Sequence, residues 1–217
     1  MIGHLIDEET LERFYKHLKE RGIKNITPFS KGNTSLVFTG ELKNEKILIK
    51  LQRKDSPRKT IEKEAKILEI LQGTNIIPEL LFTGKFEGLD YLVRKFAEGI
   101  PILYADVKKH HLLKIFEKTL ALDGLNIDHG QIQGGKHIII GKSDVWIIDF
   151  EKASLRRKPK NLTAAISVVF LSENAISRRV RERFKIDESF LKDMRKALTI
   201  YKKEKNTKEI LKLLSSL

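Results

Sequence analysis

Two apolar runs, SLVFTGEL (Ser35–Leu42) and KILIKLQ (Lys46–Gln52), are separated by only the turn-forming residues Lys43–Glu45. Two short strand-like runs joined by so short a turn make the first half of the chain read as strand-rich. Two more strand-like runs, around Leu80–Lys85 and Tyr91–Phe96, flank FEGLD, whose glycine signals a turn. An amphipathic helix over about Glu8 to Arg21 precedes these strands, with Leu11, Phe14 and Leu18 on one face, Asp7 as cap, an Ile6–Leu11 staple and Gly22 as stop. A second helix is expected from Ser56 as cap and Pro57 as first residue, running to about Leu71 and ended by Gly73. After Gly99 and Pro101 the chain turns helical through HHLLKIFEKTLALDGL, and beyond Lys160 everything reads as helix. The spacing predicts an α+β chain with its boundary near Glu98–Pro101, that is, units 1–98 and 99–217.

With 217 residues, 41% of them apolar, the chain can bury a substantial core. The longest apolar candidate, around Ala164–Leu171, is far too short to span a bilayer, so no membrane association is expected. The start MIGHLIDEET lacks the pattern of a signal peptide and the chain has no cysteine, which points to the cytoplasm. Abundant Lys, Glu and Ile lean towards a heat-adapted source. The net charge of +13 attracts polyanions. Much of it lies in RRKPK (Arg156–Lys160), RRVRERFK (Arg178–Lys185) and the lysine-rich tail from Lys192. These are either solvated helix faces or a contact for RNA or a ribonucleoprotein.

Four stretches carry chemistry. SKGNTSLV (Ser30–Val37) overlays a glycine-rich phosphate loop, with Gly32 retained and Ser30 and Ser35 in the outer glycine places, although a strand-entry turn reads the same way. In ILIK, Lys50 shares a strand face with Leu48, placing an ammonium where an apolar side chain is expected, either to meet phosphates or to guard an edge. Glu64 lies within the apolar stripe Ile61, Ala65, Leu68, so its carboxylate needs a partner, and Lys50 is the obvious one. The strand Val145–Ile148 ends in Asp149, where an acid can hold a divalent cation or simply close a turn.

In this order, with RKFAEG (Arg94–Gly99) as an extended hinge and the HG loop at His129, these residues resemble the protein-kinase superfamily. The short IDFEKAS segment is similar to small atypical kinases of archaeal type, the RIO kinases and the kinase subunit of the KEOPS tRNA-modification complex. The resemblance covers roughly Phe29 to Ser154. It implies a bilobal protein-kinase-like fold, with a small antiparallel N-lobe carrying helix C and a reduced helical C-lobe. It also implies ATP and Mg²⁺ as cofactors and a Ser/Thr protein or small-molecule acceptor. Nucleotide binding would fall to Gly32, Ser35, Lys50, Glu64, Lys95 and Ala97, and metal binding to Asp149. The catalytic motif H-x-D-x-x-x-x-N overlays HGQIQGGK, so Gln131 stands for the aspartate and Lys136 for the second metal ligand. Asp128 is the candidate replacement acid, or a loop cap. His137 is a further candidate ligand, and His129 is expected to be structural. The implied activity is ATP-dependent phosphoryl transfer or ATP hydrolysis. The alternative is an impaired pseudokinase that binds nucleotide and RNA.

Overall fold

The computed structural model describes residues 5–217 and shows an α+β chain that divides into two compact units. The first runs through Ala97 and includes Asp149–Glu151; the second comprises Glu98–Ile148 and Lys152–Leu217.

In the first unit, β1 (Lys24–Lys31), β2 (Ser35–Leu42), β3 (Glu45–Gln52), β4 (Leu80–Phe86) and β5 (Leu89–Lys95) form one antiparallel sheet in the order β1-β2-β3-β5-β4. Lys43 and Asn44 both take positive φ in the β2–β3 turn, the geometry of a tight hairpin. Strand alternation splits the sheet into two faces. Leu36, Phe38, Ile47, Ile49, Leu51, Tyr91 and Val93 bury against Phe14 and Leu18 of α1 (Glu8–Lys19). Asp7 caps that helix by accepting from the Thr10 N–H at 2.7 Å, as the sequence suggests. Lys50, paired with Val37 and Leu92, and Arg94, paired with Leu48, belong to the other face, where α2 (Ile61–Ile70) packs on β3 and β5.

The expected helix start at Ser56–Pro57 is wrong by four residues. Gln52 Oε1 accepts from the Thr60 and Ile61 N–H groups at 2.9 and 3.4 Å, while Gln52 Nε2 donates to the Thr34 and Arg58 carbonyls. A strand side chain thus sets the first turn of α2, and the Ser56 hydroxyl bonds Arg58 in the preceding loop instead. Strand β1 escapes the sequence reading because nearly every residue in it is exposed, so it shows no alternation.

The second unit holds β6 (Ile100–Pro101), β7 (Ile138–Ile140) and β8 (Val145–Ile147) in one small antiparallel sheet. Its helices are α3 (Lys109–Gly124), α4 (Asn161–Ile166), α5 (Ala175–Arg183), α6 (Glu188–Glu204) and α7 (Lys208–Ser216), with a wide π turn over Ser167–Leu171 after α4. Lys118 of α3 clamps the β7–β8 turn: its Nζ bonds Asp144 Oδ1 at 2.8 Å and the Val145 carbonyl, and lies 4.5 Å from the Trp146 ring centre. Among the described residues no helix is long and apolar enough to cross a membrane.

Candidate functional site

The densest buried charge in the first unit is built on β3, α2 and the segment Asp149–Glu151. Lys50 Nζ donates to Glu64 Oε1 at 2.9 Å and Oε2 at 2.8 Å, and to Asp149 Oδ1 at 2.8 Å. Glu64 is 1% exposed and Lys50 8%, so the ion pair inferred from the apolar stripe forms out of contact with water. Burial works against the ammonium, but the Glu64 and Asp149 charges outweigh it and hold its pKa above the ordinary lysine value. Glu64 Oε1 also accepts the Phe150 N–H at 3.3 Å, which ties helix α2 to the backbone after Asp149. Asp149 has φ 67, a left-handed conformation that is uncommon outside glycine and marks a position held by its surroundings.

Arg94 is the residue of this cluster that the sequence reading passed over. It is 3% exposed, and its Nη1 donates to the Lys95 carbonyl at 2.9 Å. Burial lowers its pKa to about 10, and the nearby Glu64 and Asp149 charges only partly offset that. The cluster therefore contains two cations and two carboxylates, and it was missed because alternation gives no reason to set Arg94 apart from an edge-strand cation.

The remaining expected nucleotide-binding residues are placed less simply. Gly32 lies in the β1–β2 turn, where its N–H is spent on the Ser35 carbonyl at 2.8 Å and its own carbonyl accepts from Arg53. Its φ lies outside the left-handed range, so the turn itself does not require glycine. Ser35 is buried opposite Gln52. The adjoining Thr34 donates through Oγ1 to Glu151 Oε2 at 2.9 Å, linking this turn to the segment that holds Asp149. The Lys95 side chain pairs with Glu45 and Glu79 at 2.9 and 3.1 Å, and its N–H bonds the Glu79 carbonyl. Ala97 is buried at the end of the unit.

In the second unit, Asp128 is a loop anchor. Its carboxylate accepts from Arg157 Nε at 2.6 Å, and its backbone forms a two-way bridge with Ser154 at 2.9 and 2.8 Å. The expectation that Asp128 supplies the missing catalytic acid meets a carboxylate already neutralised by a cation. His129 is buried, as expected of a structural histidine: Nε2 bonds the Ile148 carbonyl at 3.0 Å, and Nδ1 accepts the Gln131 N–H at 3.3 Å, which assigns the Nε2–H tautomer. Gln131 keeps one unspent group, its Oε1, which is shielded from solvent and has no hydrogen-bond partner. Lys136 is exposed, and the His137 ring centre lies 5.7 Å from that of His129. The loop is fixed by groups with no local sequence signal. Asn161 Oδ1 accepts the His129 N–H, and Asn161 Nδ2 donates to Asp123 Oδ1 and the Ile127 carbonyl. Asp123 Oδ2 accepts from the Tyr201 hydroxyl at 2.7 Å, a contact 78 residues apart in sequence.

Among the described residues, no group of three or more His, Asp or Glu side chains is arranged to hold a metal. Three arginines of α5 bond within the chain, although Arg178, Arg179 and Arg183 remain exposed. Arg179 Nη2 donates to the Ile102 and Leu103 carbonyls, Arg181 to the Phe170 carbonyl and Glu173, and Arg183 pairs with Asp106. A polyanion contact on this helix would have to compete with those bonds.

No known family profile matches the chain. Over 99 residues it is 40% identical to the uncharacterized protein MJ1211 of Methanocaldococcus jannaschii, an alignment that spans 44% of this chain and 84% of that protein. The chain belongs to the family of this Methanocaldococcus jannaschii protein.

Proposed function

We propose that the chain is a kinase-like phosphotransferase or ATPase that uses a purine nucleoside triphosphate with Mg²⁺, on a reduced bilobal protein-kinase-like fold. The observation that carries this reading is the buried Lys50–Glu64–Asp149 cluster, with Asp149 in a left-handed backbone. Burying an ammonium with one carboxylate, beside a second that is partly exposed, is costly and gives little net stability over an apolar core, so a cluster of this kind is better explained by a ligand than by folding. Lys50, oriented by both Glu64 oxygens, suits a phosphate as a point charge. A single strand-end carboxylate, Asp149, fits Mg²⁺, which binds through one or two carboxylates and completes its shell with substrate phosphates and water.

Chemistry at the acceptor is weaker. Asp128 is committed to Arg157, and the Gln131 amide oxygen, which has no partner within the chain, is able to accept a hydrogen bond but not to take up a proton. Phosphoryl transfer relies chiefly on positioning and charge neutralisation, so it survives loss of the acid at reduced rate. Turnover is expected below the usual kinase range of about 1–100 s⁻¹. The same Gln131 favours a second reading, nucleotide binding without transfer.

Thermal-shift titration with nucleotide, with and without Mg²⁺, followed by a turnover assay on the same sample, tests both. Mg²⁺-dependent binding with slow turnover that Asp149→Ala abolishes supports catalysis, and binding with no turnover across metals supports the second reading. A folded protein that no nucleotide shifts sinks both.

A further inference from the structure

Arg94 carries an inference about which purine the proposed site takes. Residues directly opposite in an antiparallel pair share a face, so Arg94, opposite Leu48, and Lys50, opposite Leu92, are diagonal neighbours on the α2 side of the sheet. Arg94 is the penultimate residue of β5, and its bond to the Lys95 carbonyl fixes the guanidinium at the segment 95–97 that leaves the strand. A guanidinium has five N–H donors. One is used on Lys95, although the side chain is more than nine-tenths buried. The remaining nitrogens of the fork are not among the buried side-chain atoms that lack a partner, so they stay open to solvent and can donate to acceptors supplied from outside the chain.

The bond to Lys95 also inverts the hydrogen-bond character of the segment proposed to meet the base. A backbone carbonyl there would receive the amino group of a 6-aminopurine, but this carbonyl already gives one of its two lone pairs to a cation, and the neighbouring guanidinium donors repel a second donor. The O6 and N7 atoms of a 6-oxopurine are both acceptors and match an arginine fork in two bonds. Resting on the nucleotide reading above, we infer that Arg94 is the specificity-determining residue of this site and selects GTP or ITP over ATP. Sites built to donate to a base oxygen reject the analogue that presents an amino group, because their donors are then left unpaired.

The test is equilibrium binding of the full chain to ATP, GTP, ITP and inorganic tripolyphosphate in Mg²⁺, followed by thermal shift. Wild type is expected to bind GTP and ITP at least about tenfold more tightly than ATP. Arg94→Met is expected to erase that preference. Arg94→Lys keeps the charge opposite Glu64 and Asp149 if the methionine variant does not fold, and is expected to lower the ratio because the planar fork is gone. Equal or tighter ATP binding by wild type overturns the inference and leaves the nucleotide site standing. So does a uniform loss of all four ligands in Arg94→Lys, which would make Arg94 a phosphate contact. Absence of saturable binding by any nucleotide overturns the site and the inference together.

Discussion

Lys50 shows what a buried charge demands of its neighbours. Removing it alone, as Lys50→Met, leaves Glu64 at 1% exposure without its partner and is expected to cost about 3–5 kcal/mol in urea unfolding. The double variant Lys50→Met/Glu64→Leu removes both charges, and its stability is expected to return to within about 1 kcal/mol of wild type while nucleotide binding stays lost. Equal costs for the single and double variants would mean that the pair is not coupled. Asp144 gives a pH-dependent counterpart. Burial raises its pKa, but the Lys118 ammonium, the Val145 N–H and Lys114 more than offset that and bring it down to about 2 from an ordinary 3.8. Its native state therefore binds protons less readily than the unfolded chain. Its stabilisation is full above the ordinary carboxylate range and fades as pH falls through about 2. Asp144→Asn should cost on the order of 2 kcal/mol at pH 7. The gap from wild type should hold down to the ordinary carboxylate range and close below it. A gap that is the same at neutral and strongly acid pH would contradict the ion pair.

At the scale of elements, the first turn of α2 depends on a strand residue. Gln52→Ala removes the acceptor for two N–H groups and the donor for two carbonyls, and is expected to cost about 2 kcal/mol, with amide exchange accelerated first at Thr60 and Ile61. Exchange that is unchanged in that turn would show that the helix starts without it. This is also where sequence reading fails. The hairpin of β2 and β3 was legible because continuous apolar runs and turn chemistry agree, and Glu64 because a carboxylate sat in an apolar stripe. Strand β1 was hidden by its exposure on both faces, and the start of α2 by a cap from outside the helix. For Asp128 the sequence left a catalytic role and a loop cap both open, because its bond to Arg157, 29 positions on, has no local signal. Arg94 was invisible because only the β3–β5 register shows that it shares a face with Lys50.

For the whole molecule, part of the net charge of +13 is engaged in bonds within the chain. Three arginines of α5 bond their own chain, so Arg181→Glu, which breaks contacts to the Phe170 carbonyl and Glu173, should lower the melting temperature before it touches any polyanion affinity. Unchanged melting with weakened, salt-steep RNA binding would restore the polyanion surface. Each compact unit carries its own polar network: Lys50, Glu64, Arg94 and Asp149 in the first, and a loop around Gln131 fixed by Asn161 and Asp123 in the second. Whether the first unit holds a nucleotide is read most directly by calorimetric titration of GTP and ATP into the intact chain, with and without Mg²⁺, for wild type and Lys50→Met/Glu64→Leu. One-to-one, Mg²⁺-strengthened binding by wild type that is absent from the folded double variant is the expected result. Binding of equal strength in both proteins, or none in either, would contradict it.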